Sequence, residues 1–239
     1  KNLARGGAAS VIARPRSGRS NLCQRSPLQR VPHHRRRLDL DQRPLIHEGT
    51  HLHERHGGIV STHSLAVHCA QRLERSLQNG LRLIQVREKQ LADDELRAFA
   101  SDVVAIAHPY GARVVVNGAA DIAAHTGADG VHLTATRLMA AARRPACDWC
   151  GASCHDAAEL ERARELGVDF VVLGPVAATP GHPHARILGW PRFARLIRDY
   201  PLPVFALGGM RADDLDQAWR CGAHGAGMLR GAWTAARFS

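Results

Sequence analysis

From residue 58 onward, short apolar runs alternate with amphipathic stretches of helix length, and this alternation constrains the fold more than any other feature. The runs fall at 58–61, 82–86, 113–116, 130–133, 149–153, 170–173, 204–207 and 225–229. Helical patterns fit 65–78, 93–107, 156–165, 191–200 and 212–221. Asp93 is a candidate N-cap. Many of the helical stretches stop at Gly, which closes a helix in the left-handed conformation at little cost. The runs are apolar throughout rather than alternating, so both faces of each strand are expected to be covered. Eight such units within residues 58–239 predict an α/β protein with a parallel sheet, and the expected closed form is a small (β/α)8 TIM barrel. A doubly wound open sheet is the second choice. No GxGxxG follows the first run, which counts against it.

Residues 1–57 have a different character. The first 38 residues contain no acid and are rich in Arg, Ser, Gly and Pro. Such a composition buries too little apolar surface to offset the entropy of ordering, so this basic segment is expected to be disordered or the remnant of another domain. Its removal is expected to leave the melting temperature within a few degrees. Residues 1–56 hold 12 Lys+Arg against 4 Asp+Glu, whereas the rest of the chain is close to neutral. A transit peptide shares the Arg-rich, acid-poor composition but is not favoured, and the tail has no interleaved aromatics to read a nucleic acid. No apolar run nears the about 18 residues of a membrane span. No nucleic-acid or membrane partner is therefore expected. Six scattered cysteines are too few for a disulfide framework in a chain this long, which suits a cytoplasmic protein.

Two metal-like patterns are weak. His47-Glu48-Gly49-Thr50-His51 matches HExxH, but the pattern works only on a helix, and Gly-Thr in its middle with Pro44 before it disfavours one. Cys147-x2-Cys150-x3-Cys154-His155 supplies only half of a zinc-knuckle pair, and the stretch 150–153 reads as a buried strand of small residues. No metal site is assigned to either.

The strand ends carry the chemistry. In Gln85-Val86-Arg87-Glu88-Lys89, alternate residues project from one face, so an amide, a guanidinium and an ammonium gather at one strand end. That set suits a phosphorylated ligand. In a barrel the active face lies at the C-terminal ends of the strands. Reading those positions adds Asn117, His132, Ser153, the loop 174–182 with Thr179 and His182, Gly208-Gly209, and Arg230. The two glycines allow backbone N–H groups to approach a ligand closely, and a phosphate near the last two strands is a common barrel geometry.

At this point residues 58–233 resemble the thiamine phosphate synthase and TenI family. The stretches that carry the likeness are QVREK at 85–89, VVVNGAADIA at 114–123, GADGVHL at 127–133, GASCHDAAEL at 151–160, GVDFVVLGPVAAT at 167–179, PVFALGGM at 203–210 and GAHGAGMLRG at 222–231. The wording of the later stretches resembles the version fused C-terminal to MutT-type Nudix hydrolases, so a Nudix hydrolase domain or partner is implied. Residues 1–57 contain no Nudix box.

The resemblance implies a transferase of thiamine biosynthesis that joins hydroxymethylpyrimidine diphosphate to thiazole phosphate. It implies a phosphorylated pyrimidine or thiazole as ligand. Gln85, Arg87, Lys89, Asn117 and Ser153 match the family's diphosphate and pyrimidine contacts, and Thr179 and Gly208 match its thiazole phosphate contacts. It also implies a magnesium ion held by two acids, but those positions carry Gly118 and Arg137 here. The family's loop lysine corresponds to His182 and a serine near the last strand to Arg230. Pro175 replaces the histidine of TenI, so tautomerase chemistry is not implied. Two readings follow: a synthase-type enzyme, or a non-catalytic module that senses a phosphorylated ligand for a Nudix hydrolase.

Overall fold

The structure, a computed structural model of the chain, describes residues 8–12, 58–59, 67–88, 91–118, 120–179 and 185–228. Strands and helices alternate along the chain. After β1 (Ala8–Ile12) and β2 (Gly58–Ile59) come α1 (Val67–Gln78), β3 (Leu83–Arg87), α2 (Asp93–Ala107), β4 (Arg113–Val116), α3 (Ala120–Thr126) and β5 (Gly130–Leu133). These are followed by α4 (Ala135–Ala140), β6 (Trp149–Cys154), α5 (Ala157–Leu166), β7 (Phe170–Leu173), α6 (Gly189–Ile197), β8 (Val204–Leu207), α7 (Leu215–Arg220) and β9 (Gly225–Gly227).

Strands β3 to β9 pair in chain order, all parallel, and β2 extends the sheet in parallel beyond β9. The sheet curls until its two ends touch, with β2 against both β1 and β3. Among the described residues the hydrogen-bonded ladder stays open there. The edge of β3 is taken by β1, which runs antiparallel to it with Ala8 opposite Arg87 and Ile12 opposite Leu83. The expected closed eight-strand barrel is thus described as a curled, TIM-like parallel sheet. One strand also stands inside the segment expected to be disordered.

The continuous apolar runs are explained by two-sided burial. Leu83, Val115, Phe170, Val172 and Phe205 meet inside the curl. Ile84, Val86, Val114, Val116, Val131 and Leu173 face outward, into the layer that holds Phe99 of α2, Leu160 of α5 and Phe193 of α6. One side chain in two thus serves each cluster, as the pleat requires.

A small turn recurs where helix hands over to strand. Gly127 and Gly167 take φ of 71° and 72°, a conformation that Gly adopts without strain. Each is followed by an apolar residue and an aspartate, Asp129 or Asp169. The carboxylate accepts a hydrogen bond from the preceding strand: from Val114 N–H to Asp129 and from Cys150 N–H to Asp169, both at 2.7 Å. Arg113 and Arg144 pair with the same two carboxylates at 3.1 and 2.6 Å. These staples hold the strand starts in register at the end of the sheet away from the candidate site.

Most element boundaries follow the sequence pattern; the helix expected at 191–200 is instead α6 at Gly189–Ile197, and three further differences stand out. The N-cap of α2 is Ala92, not Asp93; its N–H donates to Glu95 Oε2 at 3.1 Å. The stretch 212–221 divides into a 3-10 turn, Ala212–Asp214, and α7. The helices α3 and α4 were not expected from the pattern, being only 7 and 6 residues long. Among the described residues no helix is long and apolar enough to cross a membrane. His47 to His51, with the HExxH pattern, lie outside the described residues.

Candidate phosphate-binding site

On β3, Leu83 belongs to the inner cluster, so Gln85 and Arg87 project to the same interior side, successively nearer the C-terminal rim. Gln85 is buried and Arg87 half-buried. Burial lowers the pKa of the Arg87 guanidinium, which still stays charged at neutral pH. No carboxylate forms an ion pair with Arg87 among the described residues. A partly desolvated cation without a counter-ion favours an anion strongly.

Glu88 does not neutralise it. Alternation places Glu88 on the outward side with Val86, where it is 9% exposed and its Oε1 has no hydrogen-bond partner. Burial pushes its carboxyl up to about 7.

Across the interior, β5 and β6 bring a second polar pair to the rim. The register sets His132 opposite Gly151, with Ser153 one pleat further on. His132 Nε2 lies 2.9 Å from Ser153 Oγ. The imidazole is 1% exposed. Burial first, and then the Arg87 charge, hold its pKa at about 3, so the ring is neutral. Its Nδ1 has no partner. A buried N–H without an acceptor costs more than a bare ring nitrogen, which places the proton on Nε2. Ser153 Oγ then accepts, and its own hydroxyl hydrogen remains to donate toward the rim.

Gly151 makes room for this ring. A Cβ there would sit 2.2 Å from Phe170 Cζ and 2.8 Å from His132 Nδ1. The pairing of His132 with Ser153, 21 residues apart, was missed from sequence. The available signal was the interior parity of both residues on neighbouring parallel strands.

The other expected rim residues divide in two groups. Asn117 and Thr179 are half-buried just beyond β4 and β7. The Asn117 N–H is committed to Val86 O at 2.7 Å. Gly208 and Gly209 follow β8 with φ of 100° and 71°. Their lack of a side chain first admits the loop after β7: a Cβ on Gly208 would lie 2.6 Å from Pro175 Cα, and one on Gly209 2.9 Å from Ala178 O. The Gly208 carbonyl accepts from Ala177 N–H at 3.1 Å. Lys89, His182 and Arg230 lie outside the described residues.

Residues 58–232 match the thiamine monophosphate synthase family. The chain belongs to that family. The thiamine-phosphate synthase of Thermus thermophilus is 36% identical over 155 residues, which are 64% of this chain and 75% of that protein. The thiamine-phosphate synthase of Thermosynechococcus vestitus is 33% identical over 167 residues, 69% of this chain and 48% of that longer protein. Among solved structures, the thiamine phosphate pyrophosphorylase of Pyrococcus furiosus superposes with a TM-score of 0.60 at 23% identity, over 71% of this chain and 83% of that one. That likeness carries the fold.

Two positions that follow β4 and β5 carry no carboxylate. Gly118 follows β4 and has no side chain to offer. Arg137, on α4, is exposed, and its backbone N–H is held by Thr134 Oγ1 at 3.3 Å. Neither supplies a carboxylate for a hard cation. Among the described residues no three His, Cys, Asp or Glu side chains group as metal ligands. Cys150 and Cys154 are buried on the outward side of β6, and the His155 ring is bonded to Glu159 at 2.9 Å.

Proposed function

We propose that the chain binds the two phosphorylated halves of thiamine phosphate at the rim formed by β3, β4, β6, β7 and β8, and that it joins them. The observation that supports this reading most is Arg87, a half-buried guanidinium without a counter-charge among the described residues, beside Gln85 and facing the His132–Ser153 pair. In this reading the bond from the pyrimidine methylene carbon to the diphosphate oxygen breaks. The diphosphate leaves with the electron pair, and the thiazole nitrogen donates its lone pair to the methylene carbon. Diphosphate is held by Gln85, Arg87, Lys89 and Asn117, with Arg230 adding charge. Ser153 donates its hydroxyl toward the pyrimidine half. Thr179, His182 and the Gly208-Gly209 backbone face the thiazole phosphate. The protein's contribution is charge stabilisation of the leaving group and alignment of two rings.

Gly118 and Arg137 offer no carboxylate to the magnesium ion expected in this family. The positive charge at the rim comes instead from arginine and lysine. We propose a closed barrel, with β2 beyond β9 and β1 filling the gap between β2 and β3, and a cytoplasmic location. Gly118 and Arg137 also favour a second reading: a module that holds a phosphorylated pyrimidine or thiazole for a Nudix hydrolase domain or partner. Incubating the full chain with hydroxymethylpyrimidine diphosphate and thiazole phosphate in EDTA separates the two. Thiamine phosphate and released diphosphate mark the enzyme. Saturable binding without product, with or without added magnesium, marks the module. Absence of both sinks the assignment of this rim.

A further inference from the structure

We propose that Cys147 and Cys150 form a reversible disulfide, a redox modification site at the strand-start end of β6, remote from the phosphate rim. Cys147-Asp148-Trp149-Cys150 has the C-x-x-C spacing of dithiol pairs. The two thiols differ in surroundings as such a pair requires. Cys147 is partly exposed in the loop before β6. Cys150, on the strand, is fully buried, at 0% exposure. The two thiols lie close enough for each to shift the other's titration. The resting Cys147 thiol donates to Trp149 O at 3.1 Å and to Pro145 O at 3.7 Å; Trp149 O is the carbonyl of the peptide that joins Cys150, so the thiol is folded back beside that residue.

Charge around the pair sorts the protons. Arg144 donates to the Cys147 and Asp148 carbonyls at 3.4 and 3.3 Å and pairs with Asp169 at 2.6 Å. The Cys150 thiol, then a backbone hydrogen bond from Val131 and then the Arg144 charge lower the Cys147 pKa to about 7, against burial and Asp169. The Cys150 pKa is raised by the Cys147 thiol and by burial. A negative charge is better solvated on the more exposed sulfur, so the thiolate belongs to Cys147 and the resolving thiol is Cys150.

The oxidant class is a hydroperoxide. The Cys147 thiolate attacks one peroxide oxygen, the O–O bond breaks, and the departing hydroxide takes a proton to become water. Cys147 is then a sulfenic acid. Cys150 loses its proton and attacks the Cys147 sulfur. The S–O bond breaks, and hydroxide leaves with that proton as a second water. The two thiols lose two electrons, and the peroxide gains them. This site is independent of the proposed synthase chemistry.

The test uses the full chain, reduced and then freed of reductant. Hydrogen peroxide is added, and non-reduced digestion on the N-terminal side of Asp148 separates Cys147 from Cys150. Fragmentation mass spectrometry should find Cys147 joined to Cys150, the link should vanish with dithiothreitol, and Cys154 should remain open to alkylation. In Cys150→Ser, the sulfenic acid at Cys147 should accumulate and be trapped by dimedone. A Cys147 link to any other cysteine overturns the proposal. So does a wild type that keeps both thiols reduced under peroxide sufficient to oxidise glutathione in the same solution. The wild-type map decides the matter even if a variant does not fold.

Discussion

At the residue scale, the rim turns on a few side chains that combine burial with charge. Arg87→Ala should weaken diphosphate binding by about 1.5–3 kcal/mol, the worth of a charge-assisted contact. Its urea midpoint should stay near that of the wild type, because the guanidinium is held by no carboxylate among the described residues. Unchanged affinity in a folded variant would remove Arg87 from the site. Glu88 gives a pH prediction. Its carboxyl moves from an ordinary 4.5 to about 7 in the folded chain, so the folded state holds the proton over that interval and the unfolded state does not. Stability from this group is full below 4.5, declines as pH rises toward 7 and levels off above. Urea midpoints taken across the interval should therefore fall in the wild type relative to Glu88→Gln; parallel profiles would contradict the burial of that carboxyl. The Gln85-Arg87 face was legible in the sequence because strand parity alone sets it. His132 with Ser153 was not, since their meeting depends on the register of two strands and on the gap at Gly151.

At the element scale, the Gly-apolar-Asp turns before β5 and β7 do more than connect. Asp169→Ala would leave the Cys150 N–H unpaired in a fully buried position and take from Arg144 its carboxylate partner, leaving only backbone carbonyls. The expected loss is about 1–3 kcal/mol, read from the urea midpoint. Glu161→Ala removes an ion pair between two largely exposed side chains and should leave that midpoint unchanged. Equal effects would mean that the staple is only surface charge. The strands themselves were legible, since two-sided burial demands continuous apolar runs. The helices α3 and α4 were not, because one or two turns give too few residues to show a period. β1 was hidden for another reason. Ala8–Ile12 is a short run of small and β-branched residues inside an Arg-, Ser- and Gly-rich stretch, and only the free edge of β3 makes it a strand.

At the scale of the whole molecule, the parallel curled sheet gathers strand ends from β3 to β9 on one rim and puts the Asp staples and the cysteine pair at the other end. The family was legible from ordered motifs spread over the domain, which is the kind of signal a single short motif lacks. The changes at Gly118 and Arg137 were legible as well, but their consequence is a matter of charge balance at the rim. In the proposed function this rim binds phosphate through its own cations. Calorimetric titration of diphosphate into the full chain, in EDTA and again in magnesium, tests it most directly. Saturable binding with similar affinity in both is expected. No binding in EDTA, or a gain above tenfold with magnesium, about 1.4 kcal/mol, would contradict it by showing that a metal held by other groups carries the site.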